Sequence, residues 1–110
     1  MTTVHASAVQ SGTTGILIRG PSGSGKSQLA FDLILAGRAG AISTTHLISD
    51  DRVQLEADAG RLIAHAPETI GGLIEIREIK KKKCDFIPQG PISLIVDLAA
   101  GDVVRKKKKK

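Results

Sequence analysis

The segment that most constrains the fold is a glycine-rich stretch, GPSGSGKS, at residues 20–27. It follows an apolar run at residues 15–18 and precedes an apolar helical pattern that begins near residue 26. A glycine-rich turn between a strand and a helix can wrap a phosphate group, because its backbone N–H groups and the positive end of the helix point at the anion. The stretch therefore predicts an α/β fold with a P-loop nucleotide-binding core.

The residue types in this stretch predict how a nucleoside triphosphate is held. Glycine, present at residues 20, 23 and 25, permits backbone conformations that other residues rarely adopt, so successive backbone N–H groups of the loop can turn inward. Lys26 can reach the outer phosphates, and the Ser27 hydroxyl can bind the Mg²⁺ that accompanies them. The predicted phosphate-binding residues are Gly20, Pro21, Ser22, Gly23, Ser24, Gly25, Lys26 and Ser27.

Apolar periodicity along the rest of the chain predicts a mixed sheet. The predicted strands are residues 4–10, 15–18, 46–49, 53–56, 61–64, 73–77 and 92–98, and the predicted helix is residues 26–36, ended by Gly37. Turn residues at 11–14 and 58–60 predict two antiparallel hairpins, which argues against an all-parallel sheet. Pro88 and Pro91 are predicted to bracket a loop before the last strand.

The chain length and a terminal lysine run define the predicted domain organisation. At 110 residues the chain holds at most one domain and is small for a complete doubly wound fold. Residues 1–105 are predicted to form a P-loop kinase-like catalytic domain that is truncated at its C-terminus. Residues 106–110, all of them lysine, are predicted to be a disordered or artificial tail.

The composition argues against binding to nucleic acid or to membranes. The formal net charge is +5, but two lysine runs, at residues 80–83 and 106–110, supply much of it, and the rest of the chain is mildly acidic. Only two aromatic residues are present, both Phe, which is a poor supply for stacking on bases. A single cysteine, Cys84, and the lack of an apolar leader or span predict a cytoplasmic protein.

Several spaced motifs together resemble one enzyme family. They are His5 about twenty residues before the loop lysine, the GPSGSGKS stretch, LISDD at residues 47–51 and LIEIR at residues 73–77. This set resembles HPr kinase/phosphorylase, in the short bacterial form without a separate N-terminal domain. The resemblance implies an enzyme that uses ATP and Mg²⁺ to phosphorylate a serine on an HPr-like phosphocarrier protein of the phosphotransferase system. It also implies removal of that phosphate with inorganic phosphate, and a homohexameric assembly.

The same resemblance implies roles for individual residues. Asp51 would be the base in phosphorylation and the acid in the reverse reaction, with Asp50 beside it and His5 assisting. Lys26 would hold phosphates, while Ser27 and Glu75 would bind the metal. The chemistry is reasonable, because a serine hydroxyl is a poor nucleophile and needs a carboxylate to accept its proton.

The segment after residue 77 departs from the family pattern. Family members carry a glycine, an apolar residue and a second glycine where this chain has Glu78, Ile79 and Lys80. Losing two glycines removes backbone freedom near the phosphate groups. The later arginine and the C-terminal helices of the family also have no counterpart here. The resemblance therefore leaves the activity of this particular chain open.

Two other functions fit the glycine-rich stretch. One is a P-loop kinase of a small metabolite or nucleotide, in which Asp97 at the end of the last strand would support the magnesium instead of Asp50 and Asp51. The other is a noncatalytic nucleotide-binding module, in which the altered segment after residue 77 has removed the chemistry. Association of the lysine runs with nucleic acid is a weaker variant of the second.

Overall fold

The computed structural model describes residues 2–21, 23–67, 73–76, 80–83 and 87–98, the ranges 73–76 and 80–83 by their backbone alone. In these ranges the chain forms one helix, α1 (Lys26–Arg38). The strands are β1 (Thr2–Val4), β2 (Ala6–Ser11), β3 (Thr14–Arg19), β4 (Thr45–Ser49), β5 (Val53–Asp58), β6 (Arg61–His65), β7 (Leu73–Ile76), β8 (Lys80–Lys83), β9 (Gln89–Ile92) and β10 (Leu94–Asp97).

A central mixed sheet carries the core. Its strand order is β10-β3-β2-β4, with β10 parallel to β3 and β2 antiparallel to both of its neighbours. Because side chains alternate along a strand, Ile16 and Ile18 pack toward α1, whereas Leu17 packs toward a second sheet of order β1-β5-β6-β9. The described residues therefore form helix, central sheet and second sheet in layers, and the predicted α/β fold with a mixed sheet is confirmed.

Both predicted hairpins are present. Strands β2 and β3 pair antiparallel around Gly12 and Thr13, and β5 and β6 pair antiparallel around Ala59 and Gly60. Ala59 has φ 54° and Gly60 has φ 81°, the positive values that match the twist of a two-residue hairpin turn. Ala59 is strained there, because a Cβ crowds the backbone in this region.

We expect the substitution Ala59→Asn to stabilise the domain by about 0.5–1 kcal/mol, because asparagine tolerates positive φ and Asn-Gly is a favoured hairpin turn. Chemical denaturation measures the change in the free energy of unfolding. The matched control is Ala57→Asn, an exposed position within β5 where asparagine is disfavoured. A stabilisation of equal size in both variants would contradict the explanation based on turn strain.

The end of α1 differs from the prediction. The helix continues through Gly37 to Arg38, and Gly40, at φ 84°, is the glycine that ends it. The Gly40 N–H bonds to the Gly37 carbonyl, and the Ala41 N–H bonds to the Ala36 carbonyl, which is a Schellman motif. Gly37 has another role: a Cβ there would lie 2.8 Å from the Thr45 backbone nitrogen. Its missing side chain lets the helix approach β4.

Two strand predictions are wrong because each covers two strands of different sheets. The predicted strand 4–10 is interrupted at His5, with β1 in the second sheet and β2 in the central sheet. The predicted strand 92–98 is interrupted at Ser93, between β9 and β10. Pro91 lies within β9 and pairs with Ile63, not in a loop. Proline is tolerated there because β9 is an edge strand of its sheet in the described part of the chain.

The remaining predictions fall partly outside the described residues. Strand β7 confirms residues 73–76 of the strand predicted at 73–77, whose last residue, Arg77, lies outside the described residues. The first lysine run forms β8, whose backbone pairs antiparallel with β7. Residues 78–79 and the tail at 106–110 lie outside the described residues. Among the helices that are described, none has the length and apolar character needed to cross a membrane.

Candidate functional site

The topology of the central sheet brings the candidate residues to one edge. Strands β3, β4 and β10 run in the same direction, so the residues that follow them meet at their carboxyl ends. These residues are Gly20, the pair Asp50 and Asp51, and, at the last position of β10, Asp97. Strand β2 runs the opposite way and begins at this edge, which is why His5 also lies here.

The glycine-rich loop connects β3 to the start of α1. Gly23 and Gly25 have φ 84° and 99°, and a Cβ added at either would meet nothing within 4 Å. Gly25 is the N-cap of α1, where no side chain caps the helix and no acidic residue lies in the first turn. The Ser24 N–H bonds to the Pro21 carbonyl at 3.0 Å. The loop therefore presents open backbone and the positive end of a helix. Ser22 lies outside the described residues.

Lys26 is a buried cation in this loop. Its side chain folds back so that Nζ donates to the Gly20 carbonyl at 2.9 Å and to the Pro21 carbonyl at 3.3 Å. The residue is only 5% exposed. None of the ion pairs found among the described residues includes Lys26. Burying a charged ammonium costs free energy, which the two carbonyl partners only partly offset. An anion bound beside Lys26 would offset more of this cost, so the site is suited to anion binding.

Asp50 joins the helix to the central sheet. Its carboxylate accepts hydrogen bonds from the Ser27 hydroxyl at 2.7 and 2.9 Å and from the Ser7 hydroxyl at 2.7 Å. Asp50 is buried, so these donors offset the cost of removing its charge from water. Carboxylate and hydroxyl oxygens in contact are also the kind of ligands that Mg²⁺ prefers.

Asp51 points to a different partner. Its Oδ1 lies 2.6 Å from Nε2 of His5, and its side chain is 58% exposed. Its backbone has φ 72°, an uncommon conformation for a residue with a Cβ. The Asp51 N–H donates to the Ser7 hydroxyl at 3.2 Å. The two adjacent carboxylates thus face different partners. Asp50 contacts Ser27 on the helix, and Asp51 contacts His5.

A β-bulge explains why Asp50, not its neighbour, faces the helix. Val9 pairs with Leu47 and Ala8 pairs with Ser49, so Ile48 is an extra residue in β4. Without this extra residue, the register would set Ser7 opposite Ser49, and Asp50 would lie on the far face of the sheet. The bulge reverses the alternation and brings Asp50 to the face shared by Ser7 and α1.

Other predicted residues are placed differently. Asp97 accepts a hydrogen bond from Arg19 at 2.8 Å, across the parallel pair of β10 and β3. Glu75 lies in β7, whose backbone pairs with β8, and its side chain is outside the described part of the chain. Among the residues searched, no group of three or more His, Cys, Asp or Glu side chains forms a metal cluster.

Sequence reasoning missed Ser7. It is fully buried, and its hydroxyl donates to Asp50 while accepting from the Asp51 N–H. The signal available in the sequence was weak: His5 and Ser7 are two residues apart, which predicts that they share one face of an extended segment. Ser7 is 43 residues from Asp50 in the sequence, so no local pattern connects them.

The fold of this chain is found in a solved protein. The α/β architecture with a mixed sheet is similar to the Hpr(Ser) kinase/phosphatase from Coxiella burnetii, with a TM-score of 0.76 and 26% sequence identity. That similarity covers 88% of this chain and 65% of the other. A family model for the HPr Serine kinase C-terminal domain matches residues 1–80. The chain belongs to this family.

Curated relatives support the same membership. The HPr kinase/phosphorylase of Geobacillus thermodenitrificans (strain NG80-2) is 35% identical over 109 residues, covering 92% of this chain and 33% of that protein. The HPr kinase/phosphorylase of Geobacillus sp. (strain WCH70) is 40% identical over 77 residues, covering 69% of this chain and 22% of that protein. The chain thus spans about a third or less of the length of these relatives.

Proposed function

We propose that this chain carries the catalytic core of an ATP-dependent protein-serine kinase/phosphorylase that acts on an HPr-like phosphocarrier protein. The observation that carries the proposal is that two adjacent aspartates make separate contacts: Asp50 accepts a hydrogen bond from Ser27, and Asp51 is paired with His5. Both lie beside the glycine-rich loop at one sheet edge. Membership of the HPr serine kinase family supports the choice of a protein substrate.

We assign nucleotide binding to residues 20–27. Three features support this: the open backbone at Gly23 and Gly25, the uncapped N-terminus of α1, and the buried ammonium of Lys26. A triphosphate supplies acceptors for all of these groups.

We assign Mg²⁺ binding to Ser27 and Asp50, with Glu75 as a further ligand. The hydroxyl and carboxylate oxygens fit the preference of this ion, which keeps several of its own waters. When bound, the ion would neutralise charge on the transferring phosphoryl group. The proposal that Asp97 holds the metal is less well supported, because Asp97 is engaged by Arg19 whereas Asp50 contacts the loop serine.

In the proposed reaction, Asp51 is the base. The bond between the terminal phosphorus of ATP and its bridging oxygen breaks as the serine oxygen forms a new bond to phosphorus, and Asp51 takes the serine proton. In reverse, inorganic phosphate accepts the phosphoryl group and Asp51 returns the proton to the serine oxygen. His5 holds the Asp51 carboxylate in place at 2.6 Å. The exposure of Asp51 lets a protein substrate reach it.

The test is direct. This chain, and the same chain extended with the C-terminal portion of a relative, are each incubated with ATP, Mg²⁺ and an HPr-like protein. We expect phosphoserine on the carrier, detected by mass spectrometry, and no product when the acceptor serine is replaced by alanine. ATP binding without transfer in both proteins would instead favour a noncatalytic module, and transfer to a small molecule alone would favour a metabolite kinase.

The assembly and location of the protein stay predictions. A homohexamer is implied by the family resemblance, and the single cysteine predicts a cytoplasmic location. We propose both for this chain. Sedimentation of the purified protein measures the first.

A further inference from the structure

The hydroxyl of Ser7 connects the two carboxylates of the site. It donates to Oδ1 of Asp50 at 2.7 Å and accepts the backbone N–H of Asp51 at 3.2 Å. A serine hydroxyl has one proton to donate and lone pairs to accept. Since the carboxylate of Asp50 can only accept when ionised and the Asp51 N–H can only donate, the direction of both hydrogen bonds is fixed.

The backbone of Asp51 has an uncommon conformation, and the Ser7 contact helps to hold it. A φ of 72° is unfavourable for a residue with a side chain, and it persists where surrounding groups hold it. Ser7 is fully buried on β2 and cannot move away. Its contact with the Asp51 N–H therefore fixes the peptide that joins the two aspartates.

The β-bulge shows that this contact depends on register. The extra residue Ile48 moves β4 by one position, which brings Asp50 opposite Ser7. Ser7 then meets the carboxylate on the face of the sheet that α1 covers. An alanine at residue 7 would leave Asp50 bonded to Ser27 but would leave the Asp51 N–H without this acceptor.

We propose that Ser7 is a positioning residue that holds the Asp51 peptide so that the Asp51 side chain is directed toward His5. The structural part of this proposal depends only on the contacts above, and its catalytic part rests on the proposed phosphoryl transfer. Ser7 acts through the aspartates and touches no reacting atom. Removing its hydroxyl should therefore impair the step that uses Asp51 and spare nucleotide binding.

Two measurements test this in Ser7→Ala. First, the amide hydrogen of Asp51 should exchange at least about tenfold faster, because its acceptor is lost, while amides in the ladder between β2 and β3 keep their protection. Second, kcat for transfer to the carrier should fall about 10- to 100-fold while KM for ATP stays within about twofold. Ser7→Thr, which keeps the hydroxyl, should restore both values toward wild type.

The matched control is Ser11→Ala, at the far end of the same strand. Its hydroxyl donates to the Ser43 carbonyl at 3.3 Å, so its loss should change neither measurement. Unchanged Asp51 exchange in Ser7→Ala would overturn the positioning role, as would a fall in kcat that Ser7→Thr does not restore. If wild type transfers no phosphate, the proposed function fails, yet the exchange measurement still decides whether Ser7 holds Asp51.

Discussion

The substitution Asp51→Asn is expected to lower kcat for phosphoryl transfer about a thousandfold, within the range that a lost general base costs. The amide of asparagine cannot accept the serine proton, but it has nearly the same shape as the carboxylate. Asparagine also tolerates positive φ, so the backbone at φ 72° should be kept. KM for ATP should change little, because Asp50 and not Asp51 contacts the loop serine. Steady-state kinetics with the carrier protein measure both quantities.

The matched control for this change is Asp32→Asn. Asp32 is an exposed carboxylate on α1 that accepts a hydrogen bond from Gln28, so it undergoes the same chemical change away from the site. Its kcat should equal that of wild type. If Asp51→Asn kept a tenth or more of the activity, or if both variants lost activity equally, Asp51 would not be the base.

The substitution Lys26→Met is expected to weaken ATP binding about 100-fold, as expected for removing a charged donor to a phosphate. Methionine fills similar volume, so the buried site should stay packed. The thermal midpoint should be unchanged or higher, since a buried cation bonded to carbonyls is replaced by an apolar side chain. Isothermal titration with ATP and a thermal melt separate the loss of binding from a loss of folding.

Arg38→Met is the corresponding control for this cation. It removes a positive charge from the exposed last turn of the same helix. ATP affinity should be preserved in this variant. A loss of affinity in Arg38→Met comparable to that in Lys26→Met would mean that general helix charge, and not the loop lysine, accounts for binding. If the Lys26→Met protein bound ATP with wild-type affinity, the assignment of nucleotide binding to residues 20–27 would be wrong.

The local part of the fold was predictable because its signals are local. The hairpin at Ala59 and Gly60 lies between alternating strands, and the glycine-rich loop lies between an apolar run and a helical pattern. The continuous strands predicted across His5 and Ser93 were wrong for a different reason. Each residue lies where the chain passes between two sheets, and the hydrophobic pattern on either side does not say which sheet a strand joins.

The division between Asp50 and Asp51 was not predictable from their spacing. Simple alternation from Leu47, which packs toward α1, would put Asp51 on the helix side. The bulge at Ile48 reverses this, and the positive φ of Asp51 turns its side chain toward His5. Both features depend on pairing with β2, a strand about forty residues away, so neighbouring residues contain no signal for them.

The chain crosses between the central sheet and the second sheet at more than one place, and two of these crossings lie at the candidate site. One connection is His5, between β1 and β2, and another is the segment 50–52, between β4 and β5. Both connections belong to the candidate site. Any rotation of the second sheet relative to the central one changes the backbone dihedral angles at these two connections, which hold His5 and Asp51.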